Sequence, residues 1–476
     1  MEIVKAFSKI IIPIKHNKNF NELESIIEKK QKKFLVWEKF NFSITHVLEN
    51  LENKISHSKH SIAQSYVLNS NIRDCFSLPK NVNGRIDIVK RDNATSQFYI
   101  PSVYLHIFET GIGFIEFQCE ALKMEDNDFL ALNYFITELK SNKKKLQFTK
   151  NISRDEKETI VTSIKEIISL LIETIEGAAF FSENSYNPHD YKPVLFSYVL
   201  LPDKPNNIPE LLYLGSNIYK SSYKYNKSKQ DYYQPFDNSY WGSSFQGAIN
   251  ISYLTNDNTT NDFFLNTFPG SLKNHYFFLF LLALNQKFTM LKHTGDINKL
   301  MFYDLENADQ LLQLKKEIDI TINKISRFNT RSYFCNVSFI TQINQFYGLI
   351  QNKFLIDNLY RELNSKVENL KLLSDRYYNQ YEISLHKQNE KRELHKQIHQ
   401  IKVTIYVNII TQIVGGLSIF KLLWDILVLV TKNSLEFNVY FIISAVVFVL
   451  FILIMSYELI APAKKIKELK KRLGED

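Results

Sequence analysis

The residues best suited to bind a ligand are aromatic and basic side chains that alternate between residues 213 and 241. Aromatic faces stack on nucleobases and lysine ammonium groups meet phosphates, so this mixture is typical of a nucleotide site. The candidate ligand contacts are Tyr223, Lys224, Tyr225, Tyr232, Tyr233 and Trp241. The alternative is a tyrosine-rich surface loop, because the chain as a whole holds 26 tyrosines.

A second candidate set lies in the apolar segment 403–430, whose only charges are Lys421 and Asp425. Helical steps of three and four residues connect a stripe of polar and small side chains, namely Thr404, Asn408, Thr411, Gly415, Ser418, Leu422 and Asp425. In lipid, polar side chains turn toward another helix or a water-filled cavity, which predicts self-association. Two meanings stay open: the stripe lines a pore, or it packs helices together, with Gly415 and Gly416 allowing close approach.

Little in the sequence suggests catalysis or metal binding. No Walker A, GxGxxG, HExxH, GxSxG or CxxC motif occurs, and we therefore expect no enzymatic activity. His395 and His399 lie four residues apart, but no carboxylate completes a metal site on that face. The three cysteines are far apart, which excludes a disulfide framework. The net charge of +8 comes from scattered basic residues, so no nucleic-acid partner is predicted.

The polar stripe must be positioned by two apolar segments, 403–430 and 439–460. Each is long enough for a bilayer core, which needs about 20 helical residues. Because the link 431–438 is short, the two segments predict an antiparallel transmembrane hairpin. Lysine and arginine flank both ends of this hairpin, and the link carries one lysine. The positive-inside rule then predicts an inner-membrane protein with both termini cytoplasmic, an outer loop at 431–438 and a basic tail at 461–476.

Before the hairpin, residues 346–402 predict one long amphipathic stalk helix, since no glycine or proline lies between Gly348 and Gly415. Residues 1–345 predict a mixed α+β cytosolic domain that senses a ligand, and a division into two subdomains near residue 150 stays open. The predicted strands are Val4–Ile14, Val103–Phe108, Gly113–Cys119, Pro193–Leu201 and Ala248–Leu254. The predicted helices are Phe20–Lys32, Trp37–Glu52, Asp155–Ile175, Tyr276–Lys292 and Asn307–Phe328, and Lys140–Glu158 is predicted to be a surface linker.

This layout, with its lysine-rich ending at Lys464–Leu473, resembles the CorA family of divalent-cation channels, chiefly over residues 350–476. The resemblance implies a homopentamer in which the first span lines the pore. The chain departs from the family at the outer mouth, where Gly-Met-Asn is replaced by Thr431, Lys432 and Asn433. Five lysines around a pore mouth would repel hydrated Mg²⁺, so ordinary magnesium uptake is not expected.

CorA-like proteins that lack this signature occur as effectors of anti-phage systems, including type III CRISPR loci, and Phe263–Lys292 is similar to a pattern of these members. The resemblance implies a nucleotide second messenger such as SAM-AMP as the activating ligand, with Mg²⁺ left open as a further ligand. The first hypothesis is therefore an oligomeric membrane pore opened by a cytosolic ligand. The alternatives are a Mg²⁺, Co²⁺ or Ni²⁺ transporter with a degenerate filter, and a non-conducting membrane-tethered sensor or scaffold.

Overall fold

A computed structural model gives the fold of the chain in two compact units. The sheet unit comprises Met1–Tyr303 and Ile318–Lys371, and the hairpin unit comprises Asp304–Glu317 and Leu372–Asp476. The structure describes all residues except 18–21, 24, 28–35, 45, 50, 52–60, 77, 79–85, 90–94, 122–123, 138–145, 152–156, 163, 182–192, 220–224, 226–231, 301–307, 431–436 and 475–476.

The described part of the sheet unit contains one mixed sheet of 13 strands. The strands are β1 (Lys5–His16), β2 (Trp37–Phe40), β3 (Ala63–Leu68), β4 (Ile86–Val89), β5 (Thr95–Phe108), β6 (Ile112–Ala121), β7 (Leu146–Asn151), β8 (Lys157–Thr162), β9 (Ala178–Phe180), β10 (Val194–Leu201), β11 (Tyr232–Phe236), β12 (Ser239–Ser244) and β13 (Gly247–Tyr253). Their order is β11-β12-β13-β10-β1-β6-β5-β4-β7-β8, while β3 joins β2 to β5 and β9 pairs with β1. The pair β10–β13 is parallel and the other pairs are antiparallel.

The helices follow mainly after the strands. They are α1 (Asp126–Thr137), α2 (Ile164–Glu173), α3 (Ile208–Asn217), α4 (Asn258–Asp262), α5 (Phe268–Ser271), α6 (Phe277–Leu300), α7 (Ala308–Arg331), α8 (Thr341–Lys353), α9 (Ile356–Val430) and α10 (Phe437–Leu473). Two π-helical turns, π1 (Phe263–Thr267) and π2 (Leu272–Tyr276), join α4, α5 and α6 into one continuous helical segment.

Strand β1 is buried on both faces of the sheet. Ile10 and Ile12 point into a core shared with α1, α2 and α3. The alternate side chains point the other way, where Lys9 lies 3.7 Å from the centre of the Phe277 ring of α6. Strand β10 alternates in the same manner, because Leu195 joins the first core while Phe196 contacts Phe277. Because both faces of the sheet are covered here, the sequences of these two strands are mostly apolar instead of alternating between apolar and polar residues.

The two π turns are held by side chains of the sheet. Lys5 donates a hydrogen bond to the carbonyl of Leu265 and Tyr198 donates one to the carbonyl of Phe264, both in π1. Lys9 donates to the carbonyl of Lys273 in π2 at 3.0 Å. Because π turns depart from the i→i+4 pattern of a helix, such outside donors help to satisfy backbone groups that the departure displaces.

Several sequence predictions are confirmed and others are wrong. The strands that became β1, β5, β6, β10 and β13 are present, as are helices α6 and α7. Residues 277–284, within the helix predicted at Tyr276–Lys292, are buried inside the sheet unit, so this short apolar run belongs to a core helix.

Three local predictions fail at least in part, because pairing with neighbouring strands outweighs the local preferences of these segments. The helix predicted at Trp37–Glu52 begins instead as β2, where the indole of Trp37 is buried and Trp37 pairs with Leu68 of β3. The stretch predicted as the surface linker Lys140–Glu158 contains strand β7, and β8 occupies the first part of the helix predicted from Asp155. The predicted helix Phe20–Lys32 lies largely outside the described residues.

The predicted stalk and first span form one helix, α9, of 75 residues, about 110 Å long at 1.5 Å per residue. The helix begins at Ile356 rather than at residue 346, because Leu355 adopts a left-handed conformation with φ 56° and separates it from α8. No glycine or proline marks this break, so it cannot be recognised from the local sequence.

In the hairpin unit α10 packs antiparallel against α9. Gln412 donates to the Glu458 carboxylate at 2.6 Å, and the Phe451 ring lies against Gly416. Further along, Ile398 packs with Leu469 and Leu473. Both helices are long and apolar enough to cross a membrane, and the most apolar windows are only 6% and 0% buried.

Candidate functional site: two cavities and a polar helix face

The tyrosine cavity is an open pocket of about 210 Å³ in the sheet unit. It is lined by Pro209, Leu212, Tyr213, Ser216, Asn217, Tyr225, Tyr232, Gly242, Ser243, Ser244 and Lys353. Helix α3, strands β11 and β12, the last residue of α8 and Tyr225 from the segment between α3 and β11 therefore form its described walls. Aromatic rings, hydroxyl groups and one ammonium group face the same space, which is the combination that an aromatic anion such as a nucleotide requires.

Local packing explains how this cavity is shaped. The rings of Tyr213 and Tyr225 lie 5.6 Å apart between centres, and the hydroxyl of Tyr225 is buried with no hydrogen-bond partner in the described structure. A Cβ on Gly242 would come within 2.9 Å of Leu212, so the glycine allows α3 to lie close against β12. At the end of α3, Ile218 adopts φ 56°, a strained conformation for a β-branched residue.

Only part of the predicted ligand site comes together at this cavity. Tyr225 and Tyr232 line it, whereas Tyr233 lies outside and places its hydroxyl 3.4 Å from the carbonyl of Gln342. Trp241 is fully buried between the rings of Phe196, Tyr276 and Phe346 and is a core residue. Tyr223 and Lys224 lie outside the described residues. Tyr213 also lines the cavity and lies in the aromatic segment 213–241, although it is not one of the candidate contacts predicted from the sequence. Lys353 could not be found from the sequence, because it enters from α8, a distant element.

The aromatic cavity is a second pocket of about 220 Å³ on the same unit. It is lined by His46, Phe236, Phe263, Phe268, Ser271, His275, Tyr276, Ile340, Gln342 and Ile343. These residues come from sequence positions as far apart as 46 and 343, and none of them is a site residue predicted from the sequence. The π turns, α5, the end of β11 and the start of α8 meet here.

Helix α8 contributes to both cavities. Gln342 and Ile343 near its start line the aromatic cavity, and Lys353 at its end lines the tyrosine cavity. The hydroxyl of Tyr347 donates to Gln286 of α6 at 3.1 Å, so α8 is tied to the core of the sheet unit. At its end α8 passes through Phe354 and the left-handed Leu355 into α9.

The α9 residues predicted to line a pore lie on a face that α10 does not cover. With a rotation of 100° per residue, the side chains of this part of α9 fall on three faces. The hairpin face carries Ile405, Ile409, Gln412 and Gly416, which are partly buried against α10. The apolar face carries Tyr406, Ile410, Ile413, Leu417, Phe420 and Trp424, each more than half exposed. The polar face carries Thr404, Asn408, Thr411, Gly415, Ser418, Leu422 and Asp425, all exposed except the partly buried Gly415.

The hydroxyl groups of the polar face bond to their own helix. Thr404, Thr411 and Ser418 each donate to the backbone carbonyl four residues earlier, at 2.9, 2.8 and 2.9 Å. These hydroxyls therefore do not need a partner in lipid. The amide of Asn408 has more donors and acceptors than one backbone carbonyl can satisfy, and the carboxylate of Asp425 is an acceptor that a carbonyl cannot satisfy at all. Asn408 and Asp425 therefore favour contact of this face with water or with another polar surface.

The predicted outer mouth, Thr431, Lys432 and Asn433, lies outside the described residues. Within the part of the chain that is described, no group of three His, Cys, Asp or Glu side chains is placed to hold a metal ion. Comparisons of the chain with protein-family models, with curated proteins and with solved structures find no match.

Proposed function

We propose that this chain is the subunit of an oligomeric membrane pore that opens when a small ligand binds to the sheet unit. The observation that carries the proposal is α9, an unbroken helix whose first residues belong to the sheet unit and whose apolar part exposes a polar face distinct from the face that packs on α10. In an assembly of several copies, such faces would line a water-filled path while the apolar faces meet lipid.

A bilayer location explains the exposure of the hairpin. The core helix of a soluble protein would be mostly buried, yet the apolar windows of α9 and α10 are almost entirely exposed. Leaving so much apolar surface in water would be costly and would favour aggregation. The basic residues at both ends of the hairpin favour an orientation with the sheet unit and both termini in the cytoplasm.

The coupling between ligand and pore is proposed to run through α8. A ligand in either cavity would contact this helix, and α8 leads through Leu355 directly into α9. A ligand that binds the open arrangement more tightly than the closed one shifts the population toward opening, by no more than its difference in binding free energy. The CorA resemblance would make the assembly a pentamer, and a nucleotide such as SAM-AMP a candidate activator.

The test is ion leakage from liposomes that contain the full-length protein, with and without SAM-AMP, AMP and ATP. We expect leakage that requires one of these nucleotides. Asn408→Leu and Asp425→Leu should reduce it at least about tenfold, which corresponds to about 1.4 kcal/mol of barrier. The matched controls on the apolar face, Ile413→Ala and Leu417→Ala, should leave it unchanged.

The remaining outcomes separate the alternatives. Flux that follows a Mg²⁺, Co²⁺ or Ni²⁺ gradient without nucleotide would favour the transporter and overturn ligand gating. Absence of flux under every condition, with the protein folded and inserted, would favour the scaffold. Equal losses in polar-face and apolar-face variants would overturn the assignment of the pore-lining face.

A further inference from the structure

We infer that the aromatic cavity binds one planar, uncharged nitrogen heterocycle, which stacks on phenylalanine rings and accepts and donates hydrogen bonds at His275. The site is separate from the tyrosine cavity, with which it shares no lining residue. The inference does not depend on the pore, because it concerns binding to the sheet unit alone.

The two π turns, with α5 between them, form one wall of the cavity. A π turn closes hydrogen bonds between residues i and i+5, so side chains five apart are brought toward one face, where an ordinary helix would separate them. Phe263 and Phe268 are five apart and their ring centres are 5.6 Å from each other. Ser271 and Tyr276 are also five apart, and both line the cavity. Single π turns are frequent at functional sites, and here two follow each other.

His275 gives the cavity its polar recognition group. Its side chain is 6% exposed, and neither ring nitrogen has a hydrogen-bond partner among the described residues. Burial of an imidazole with both nitrogens unsatisfied costs free energy that the fold does not regain. A ligand that hydrogen-bonds to both nitrogens would remove this cost, which supplies a physical reason for the residue at this position.

The protonation state of His275 determines which hydrogen-bonding groups a ligand must present to it. Burial, with a smaller contribution from His46, lowers the pKa of His275 to about 4, so the ring is neutral near pH 7. A neutral imidazole offers one N–H donor and one acceptor nitrogen. Nitrogen heterocycles such as nucleobases carry donors and acceptors side by side on one ring edge and match this pair.

The charge of the lining argues against ionic ligands. None of the described lining residues carries a carboxylate or an ammonium group. An anion would lack a cationic partner, and a quaternary ammonium ion would leave His275 unsatisfied although the rings would attract it. A volume of about 220 Å³ lies below the range of about 300–1,000 Å³ usual for drug-sized ligands, which suits a single ring system.

Backbone strain at the rim is consistent with a binding role. His46 lines the cavity with φ 60°, a left-handed conformation that non-glycine residues adopt infrequently. Strained residues of this kind concentrate at ligand sites, where the surrounding structure holds them in place.

The test is equilibrium dialysis of the detergent-solubilised full chain against radiolabelled adenine, guanine, cytosine and uracil, each as the free base. We expect at least one base to bind with a Kd of about 1 mM or lower. His275→Phe keeps an aromatic ring but removes both nitrogens and should weaken binding about tenfold or more, while His275→Gln should recover part of the loss. Phe263→Ala, at a partly exposed position, should weaken binding at least about fivefold through lost stacking.

The matched control is Ile320→Ala, at an exposed position that lines neither cavity, and it should leave base binding unchanged. Tyr232→Ala tests whether a base binds in the tyrosine cavity instead. Thermal unfolding of each variant separates loss of the site from loss of the fold, and Phe263→Ala remains informative if His275→Phe does not fold. Binding of tetramethylammonium in place of the bases, loss of base binding only in Tyr232→Ala, or no binding of any base at millimolar concentration would each overturn the inference. None of these results would by itself decide whether the chain conducts ions.

Discussion

Three ionisable side chains meet inside the sheet unit beneath π2. The Nζ atom of Lys9 lies 2.7 Å from one carboxylate oxygen of Glu116, and Nε2 of His106 lies 2.8 Å from the other. Ser65 lies 2.8 Å from Nδ1 of His106. Since Lys9 also donates to the carbonyl of Lys273, this cluster connects the centre of the sheet to the π turn that holds His275.

Charges balance within this cluster. Burial alone would raise the pKa of Glu116, but Lys9 and His106 outweigh it and the pKa lies below its usual value. Burial lowers the pKa of Lys9 against the opposing effect of Glu116, and it lowers the pKa of His106 as well. A neutral His106 then donates from Nε2 to Glu116 and accepts from the Ser65 hydroxyl at Nδ1. The buried pair is therefore one lysine and one carboxylate, with the imidazole as a neutral bridge.

At the residue scale we predict that Glu116→Gln destabilises the sheet unit by about 3 kcal/mol or more, because it leaves the buried Lys9 ammonium without its carboxylate. The control is Glu120→Gln, which removes a partner of Lys273 at a position about one quarter exposed and should cost less. Thermal and chemical unfolding of the detergent-solubilised chain measures both. Equal stability of Glu116→Gln and the wild type would show that the pair does not hold this region together.

At the scale of elements, one face of α9 contacts α10 and the neighbouring polar face does not. Gly416 lies on the hairpin face, where an added Cβ would come within 2.9 Å of the Phe451 ring. Gly415 is the next residue, and a Cβ there would have no neighbour within 4 Å in the described chain. The sequence placed Gly415 alone in the polar stripe and named both glycines only as allowing close approach, whereas the structure gives the two positions different surroundings.

We therefore predict opposite responses at these neighbouring positions. Gly416→Ala should force the Phe451 ring to move and lower the thermal stability of the hairpin, by about 1–3 kcal/mol in free energy. Gly415→Ala should be neutral or slightly stabilising, since alanine favours helix by about 1 kcal/mol over glycine. Circular dichroism melts in detergent compare the two. A lower melting temperature for Gly415→Ala alone would contradict the hairpin packing described above.

Substitution of Gly415 also tests whether the polar face mediates self-association. If the polar face meets another copy, Gly415→Leu should reduce the size of the assembly measured by light scattering, while Ile413→Leu on the apolar face should not. An unchanged assembly in both variants would remove the polar face from the interface.

At the scale of the whole molecule, the proposal places both ends of the hairpin on one side of the membrane. We predict that a membrane-impermeant maleimide added to intact cells labels Asn438→Cys but not Lys464→Cys, because the second position belongs to the basic cytoplasmic end. The native Cys75, Cys119 and Cys335 all precede the hairpin and should stay unlabelled until the cells are broken. Labelling of Lys464→Cys from outside, or of neither position after insertion is verified, would contradict this orientation.

The sequence by itself determined the features that depend on local periodicity. Segments 403–430 and 439–460 were identifiable as apolar helices because a long run of apolar residues needs no distant partner to be recognised. The central strands were visible for a related reason, since β1 and β10 are buried on both faces and most of their residues are apolar. The break at Leu355 was not visible, because a leucine with positive φ has no sequence signature.

Only the tertiary structure decided where the candidate sites lie. The order of the sheet sets β11 at one edge, which places Tyr232 at one cavity and Phe236 at the other, while Trp241 of β12 enters the core. The aromatic cavity needs His46, two π turns and the start of α8, and these meet only after long-range strand pairing. Composition and spacing report what a segment can do locally, whereas a binding site is made by segments that packing brings together.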